Sequence, residues 1–313
     1  MTIVNRHLSD RNVERVRSDL RFLIGYLDHP KLKGDLAIEF RGPSELSIYD
    51  RGFRLAQIRM PRGGYRVATH KRFVEGTPLL PDNQGKQPQF TPALSRSGKY
   101  LTFSADAKSI HRLLQLRHIL AMRSCVREVT RREEIGVAQV IAAENMNRGR
   151  GNLKGVVVID REVGDSAQQH VRERLDLLAL QRVDGDEYRF LAIEVKLGNN
   201  PELDIRAKKR QGKRNAVEQV MGYAQHIDDN FDDYADCYRQ NVAQKIELGL
   251  LDDWAQAPTI VKDTKPLLAV AGYAGIAESH LDAIQEEYPE LWIKTFRYGV
   301  ESVDGVVQGL RTK

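Results

Sequence analysis

The sequence predicts an α/β protein in which a small antiparallel β-rich module precedes a mixed sheet flanked by helices. Three observations carry this prediction. Apolar residues alternate with period two through residues 36–73, a proline-rich aperiodic stretch follows, and beyond Arg150 strand-like and helix-like segments alternate. The expected units are 1–98, a basic helix and β-meander with its linker, and 99–313, a helical connector leading into the α/β domain.

In chain order, Val13, Val16, Leu20, Leu23 and Ile24 fall on one stripe of a helix over residues 11–27. LAIEF, LSIYD, RLAQIRM and YRVATHKRF then read as strands separated by GPSE, RG and PRGG, residues suited to tight turns. Arginines recur through this meander at Arg41, Arg51, Arg54, Arg59, Arg62, Arg66 and Arg72, interleaved with Phe40, Tyr49, Phe53, Tyr65 and Phe73. Two readings are open. Aromatic faces that stack on bases beside arginines that hold a backbone describe a nucleic-acid surface; alternatively the aromatics are the core face of the sheet and the arginines its wet face. EGTPLLPDNQGKQPQFTPALSRSG, with four prolines, reads as a linker.

Two helices are expected next, over 105–122 and 129–147. GVVVID, VRERLDLLALQRV and YRFLAIEVKLG then read as three strands joined by GDSAQQ and DGDE. A helix over 210–227, the strand PLLAVAGYA, a helix over 276–287 and the strand LWIKTFRYGV complete the pattern.

Composition narrows the function. No run of about 18 apolar residues is present and the N-terminus carries no apolar signal core, so a soluble, cytoplasmic protein without a membrane partner is expected. Cys125 and Cys237 have no zinc-type spacing, the histidines form no HxxxH or HExxH pattern, and no GxxxxGK[ST] phosphate loop exists. The net charge is only +5, but up to Arg132 there are 25 Lys and Arg against 12 Asp and Glu, whereas the remainder has 23 against 31. A basic front suits a phosphate-rich partner.

The chemistry concentrates in the back half. An acid-x-Lys triplet occurs three times, at Asp106, Asp263 and Glu194, but only Glu194-Val195-Lys196 lies inside a predicted strand. Strand alternation places Leu191, Ile193, Val195 and Leu197 on one apolar face and Phe190, Ala192, Glu194 and Lys196 on the other. Asp176 interrupts the apolar run RLDLLAL of the preceding strand, and a buried carboxylate is costly unless compensated. If the two strands pair across DGDE, Asp176 and Glu194 approach as two hard oxygen ligands for Mg²⁺ or Mn²⁺. Lys196 can then position or deprotonate a water, or stabilise charge on a phosphate.

Asp176, with Glu194-Val195-Lys196 eighteen positions on, resembles the PD-(D/E)XK nuclease superfamily, over residues 130–297. Gln219 and Tyr223, one helical turn apart, look like the QxxxY element of its RecB-like branch. No proline precedes Asp176; Leu175 stands there. The resemblance implies a restriction-endonuclease-like domain and a metal-dependent nuclease acting on nucleic acid, DNA foremost, with self-association and a role in defence left open. It implies that Asp176, Glu194 and the carbonyl of Val195 bind metal, that Lys196 and Gln219 serve the nucleophile with Tyr223 facing the site, and that one further acid joins from the preceding helix. Glu133, Glu134 and Glu144 compete for that place, and Glu134 has the better helical spacing. Lys208, Lys209, Arg210, Lys213 and Arg214 are placed to attract a phosphate backbone. The alternative is a non-catalytic nucleic-acid-binding protein that retains the nuclease fold.

Overall fold

The computed structural model describes residues 4–32, 35–50, 53–75, 77, 79, 90–129, 156–163, 174–206, 214–251, 256–272 and 275–296. Two helices lead the chain, α1 (Asp10–Asp19) and α2 (Arg21–Tyr26), where the sequence pattern suggests one. Between them Leu20 leaves the helical region at φ −110° and ψ 6° while remaining buried.

The meander is present as β1 (Leu36–Gly42), β2 (Glu45–Asp50), β3 (Phe53–Arg59) and β4 (Tyr65–His70), every neighbouring pair antiparallel. The expected strand tail after His70 is instead the short helix α3 (Lys71–Val74), capped by the His70 side chain. The sheet does not end at residue 98. β5 (Ala93–Leu94) and β6 (Tyr100–Ala105) extend it in the order β1-β2-β3-β4-β6-β5. The short α4 (Ile110–Leu113) and α5 (Leu116–Val129) follow, and Ile110, Ile119 and Met122 enter the same core as Val13 and Val16 of α1. The boundary set at 98 on the proline-rich stretch therefore falls inside a strand pairing. At Gly64 (φ 151°) a Cβ would lie 2.6 Å from the Ala105 carbonyl oxygen, so this close approach of β4 to the end of β6 requires glycine.

The aromatics of the meander are not a wet surface. Phe40, Tyr65 and Phe73 are buried in the front core and Phe53 packs against it, which supports the core-face reading.

The second sheet is mixed. β7 (Val156–Val163), β8 (Leu175–Asp184) and β9 (Glu187–Leu197) are antiparallel neighbours, whereas β10 (Thr259–Ala271) runs parallel to β9 and β11 (Trp292–Phe296) parallel to β10. Parallel neighbours need crossovers. They are made by α6 (Ala216–Asp229) with α7 (Phe231–Glu247), and by α8 (Gly275–Glu287). The helix expected from residue 210 begins at Ala216, where Asn215 and Glu218 form a reciprocal capping box at 2.8 and 3.2 Å. α7 has no counterpart in the sequence reading, because its buried stripe mixes Tyr234, Cys237, Asn241 and Lys245 with few aliphatic residues, Ala235 and Val242. The expected helix over 129–147 lies outside the described residues. None of the helices among the described residues is long and apolar enough to cross a membrane.

The two halves meet through buried charge. Asp160 of β7, displaced by a bulge after Val158, is 1% exposed. Its carboxylate meets Arg6 at 3.1 Å and Arg41 at 2.7 Å, and accepts hydrogen bonds from the Tyr238 hydroxyl and the Arg161 backbone N–H, both at 2.7 Å. Burial alone would raise the Asp160 pKa, but Arg6 and Arg41 outweigh it and the group is held below its ordinary range. Beside it Lys245 of α7 donates to Glu39 of β1 at 2.9 Å and to the Ile159 carbonyl at 3.2 Å. The fully buried Arg161 guanidinium lies 4.1 Å from the centre of the Tyr49 ring.

Removing one member of such a network strands the others. We expect Asp160→Ala to lower unfolding free energy in urea by about 3–5 kcal/mol, because Arg6 and Arg41 would remain buried without their anion. A loss below about 1 kcal/mol would show that apolar contacts hold the halves together.

Candidate active site

β9 keeps strict alternation to its end. Leu191, Ile193 and Val195 enter one apolar core of the back sheet, while Phe190 and Ala192 enter the other, against α6 and α7. Glu194 and Lys196 continue that second, helix-covered face and are 3% and 7% exposed. Strand and register thus force two charges beneath a helix, as the sequence pattern indicates.

Asp176 is the second residue of β8. The backbone ladder between β8 and β9 ends at Leu177 opposite Ile193, and beyond it the Asp176 Oδ2 accepts the Val195 N–H at 2.9 Å. A side-chain carboxylate has taken the place of a backbone acceptor. In an extended strand the N–H and C=O of one residue point to the same side, so the Val195 carbonyl also opens toward Asp176.

Lys196 is held on three sides. Its Nζ lies 2.9 Å from Glu194 Oε1 and 2.8 Å from Glu202 Oε2, and donates to Gln219 Oε1 at 3.4 Å. The Gln219 amide is fixed in turn, since its Nε2 donates to Glu202 Oε2 at 3.4 Å and to the Arg214 carbonyl at 3.1 Å. Gln219 stands in the first turn of α6, and α6 packs across β9 and β10. Glu202 was not singled out in the sequence. It sits in the single 3₁₀ turn Pro201–Leu203, started by the Asn200 side chain accepting the Glu202 N–H at 2.8 Å. The signal that could have found it is Asn200-Pro201-Glu202, a turn that follows the charged strand end directly.

The electrostatics of the two strand residues differ. Burial, and after it the Asp176 carboxylate, push the Glu194 carboxyl up to about 8 despite the neighbouring ammonium. Its Oε2 is buried with no hydrogen-bond partner among the described residues. For Lys196 burial opposes the charge, but Glu194 and Glu202 outweigh burial and hold the pKa above its ordinary value. The lysine is therefore a cation at neutral pH.

These residues fit a hard divalent cation of the kind that keeps much of its water. Among the described residues no group of three or more His, Cys, Asp or Glu side chains is arranged around one point, so an all-protein cage is not built here. Mg²⁺ needs none, since it is commonly bound through one or two carboxylates together with water and substrate phosphate. The orphaned Glu194 oxygen beside Asp176 is the place a cation would satisfy.

Of the other expected site residues, Tyr223 is half-buried against the helix-side core with its hydroxyl buried. Arg214 stands, exposed, just before α6 and lends its carbonyl to Gln219. Glu133, Glu134, Glu144, Lys208, Lys209, Arg210 and Lys213 lie outside the described residues. Compared with known proteins, the chain matches no family model, and no curated protein or solved structure is significantly similar to it.

The raised Glu194 pKa has a consequence for stability. The carboxyl binds its proton more tightly in the folded chain, so between its ordinary 4.5 and about 8 the native state carries the extra proton. Its contribution to stability falls as pH rises through that window, with a slope of at most about 1.4 kcal/mol per pH unit. Metal-free Glu194→Gln should lose this slope, so urea unfolding of the two proteins should diverge with rising pH, the variant becoming relatively more stable. Parallel stability curves would sink the assignment of a protonated buried acid.

Proposed function

We propose that this protein is a metal-dependent nuclease that hydrolyses phosphodiester bonds, of DNA in the first instance, and that its mixed sheet is the core of a restriction-endonuclease-like domain. The observation that carries this reading is the juxtaposition of Asp176, the unsatisfied Glu194 oxygen and a charged Lys196 where β8 begins and β9 ends. Strand order and crossovers are compatible with that fold, and the spacing from Asp176 to Lys196 and on to Gln219 supports it.

Asp176 and Glu194, with the Val195 carbonyl, would hold Mg²⁺ or Mn²⁺. When bound, such an ion polarises a phosphoryl oxygen and lowers the pKa of water. Lys196 stays protonated between the Glu194 and Glu202 carboxyl groups, which favours a role as a fixed positive charge facing the phosphate over one as a proton acceptor. Glu202 and Gln219 position that ammonium through direct contacts, and Gln219 also ties it to the start of α6. Burial of Glu194 and Lys196 limits water around the reacting groups, which strengthens their electrostatic effect.

The rival is a nucleic-acid-binding protein that keeps the architecture without cleavage. Plasmid, single-stranded DNA and RNA incubated with and without Mg²⁺ separate the two. Cleavage should require metal and fall by about 10²–10³-fold in Lys196→Ala, the size of effect seen when one transition-state charge donor is removed. Wild-type thermal stability should rise with Mg²⁺, by about 2.7 kcal/mol at a hundredfold excess over Kd, and Asp176→Asn should lose most of that rise. Cleavage at wild-type rate in Lys196→Ala overturns the catalytic role of the lysine, and a metal response retained in Asp176→Asn overturns the ligand set.

A further inference from the structure

The outer face of the front sheet has two halves. Over β1 and β2 it is closed by β7 and α7, through Glu39, Arg41 and Tyr49. Over β3, β4 and β6 no described element covers it, and strand register arranges the outward residues in three rows. Arg59 stands opposite Arg66, Gln57 opposite Ala68 and Thr102, and His70 opposite Tyr100. The middle row is uncharged and floors a groove of about 360 Å³ that Arg54 also lines. At about 3.4 Å per residue, the arginine row and the His70–Tyr100 row stand about 14 Å apart.

Two features of this groove call for an anionic, ring-bearing ligand. Like charges placed directly across a strand pair destabilise a sheet, yet Arg59 and Arg66 are so placed. Glu45 meets Arg59 at 2.8 Å but is shared with the Gln57 amide, and no ion pair to Arg66 or Arg54 is present among the described residues. At the other end the Tyr100 ring is 38% exposed and meets the His70 ring edge-on at 5.6 Å. Burial first, and then Arg72, Lys71 and Lys99, lower the His70 pKa, so the ring is neutral in a positive field.

We propose that this open half-face binds a single-stranded nucleic-acid segment, with phosphates on Arg54, Arg59 and Arg66 and a base against Tyr100 and His70. An exposed aromatic across a groove from a basic row can use an unstacked base, which a duplex does not offer. The groove lies on the front sheet and contains none of the carboxylates or the lysine of the β8–β9 cluster, so it needs no metal.

The test is anisotropy of a labelled oligothymidylate of about 20 nucleotides, titrated with full-length protein in EDTA, where metal-dependent cleavage cannot contribute. Arg59→Ala/Arg66→Ala should weaken binding and reduce the slope of log affinity against log salt by about 1.4, for two lost phosphate contacts on a single strand. Tyr100→Ala should weaken binding about fivefold or more while leaving the salt slope unchanged. All three side chains are exposed, and an unchanged melting temperature verifies the fold. No binding by the wild type, unchanged affinity in both variants, or duplex bound as tightly as single strand with Tyr100→Ala silent would each overturn the proposal. Any of these leaves the metal-dependent cleavage reading standing, because the carboxylate cluster takes no part in the measurement.

Discussion

Charge taken out of water is the constraint on which this structure depends. Asp160 has four donors drawn from four parts of the chain: the N-terminal segment, β1, α7 and its own neighbouring peptide. Each carboxylate lone pair so engaged offsets desolvation, and geometry of this quality is what lets a buried ion persist. The front and back sheets are therefore not two beads on a linker. Val4 is buried in the back core and Leu248 and Leu250 in the front core, so each half completes the other.

Glu194 presents the opposite case with the same chemistry. It is nearly as buried as Asp160, lies near a second carboxylate, and among the described residues has one of its oxygens engaged. One sheet thus holds a fully satisfied acid and, among the described residues, a half-satisfied one. The first has its proton affinity lowered by its partners and the second has it raised by its setting. Lys196 belongs to both descriptions, since it neutralises part of the cluster while remaining locked by Glu202 and Gln219.

What could be read from sequence was local and periodic. Alternation in YRFLAIEVKLG placed Glu194 and Lys196 on one face, and the DGDE turn brought Asp176 to the end of the same hairpin. The parts that escaped are those set by distance or by polar burial. β6 joins β4 across a 30-residue excursion, His70 opposite Tyr100, and nothing local to either strand specifies that pairing. α7 escaped because tyrosine, cysteine, asparagine and lysine make up much of its buried stripe, and Asn241 and Lys245 are buried only because backbone and acid partners on other elements receive them. Glu202 escaped because an acid in a polar turn looks ordinary until the turn folds back against Lys196.

One contact between distant parts of the chain has a temporal meaning. Leu8 exchanges hydrogen bonds with the Gln244 side chain, its N–H donating to Oε1 and its carbonyl accepting from Nε2, both at 2.8 Å across 236 residues. On the ribosome the first strands can pair as soon as they emerge, whereas this clasp must wait until α7 has been made. Until then Glu39 lacks the Lys245 partner that α7 provides and remains hydrated on a nascent sheet. Closure of the two halves consequently waits on α7, and a chain truncated before it would leave the ionic face of the meander turned to water and the front core without Leu248 and Leu250.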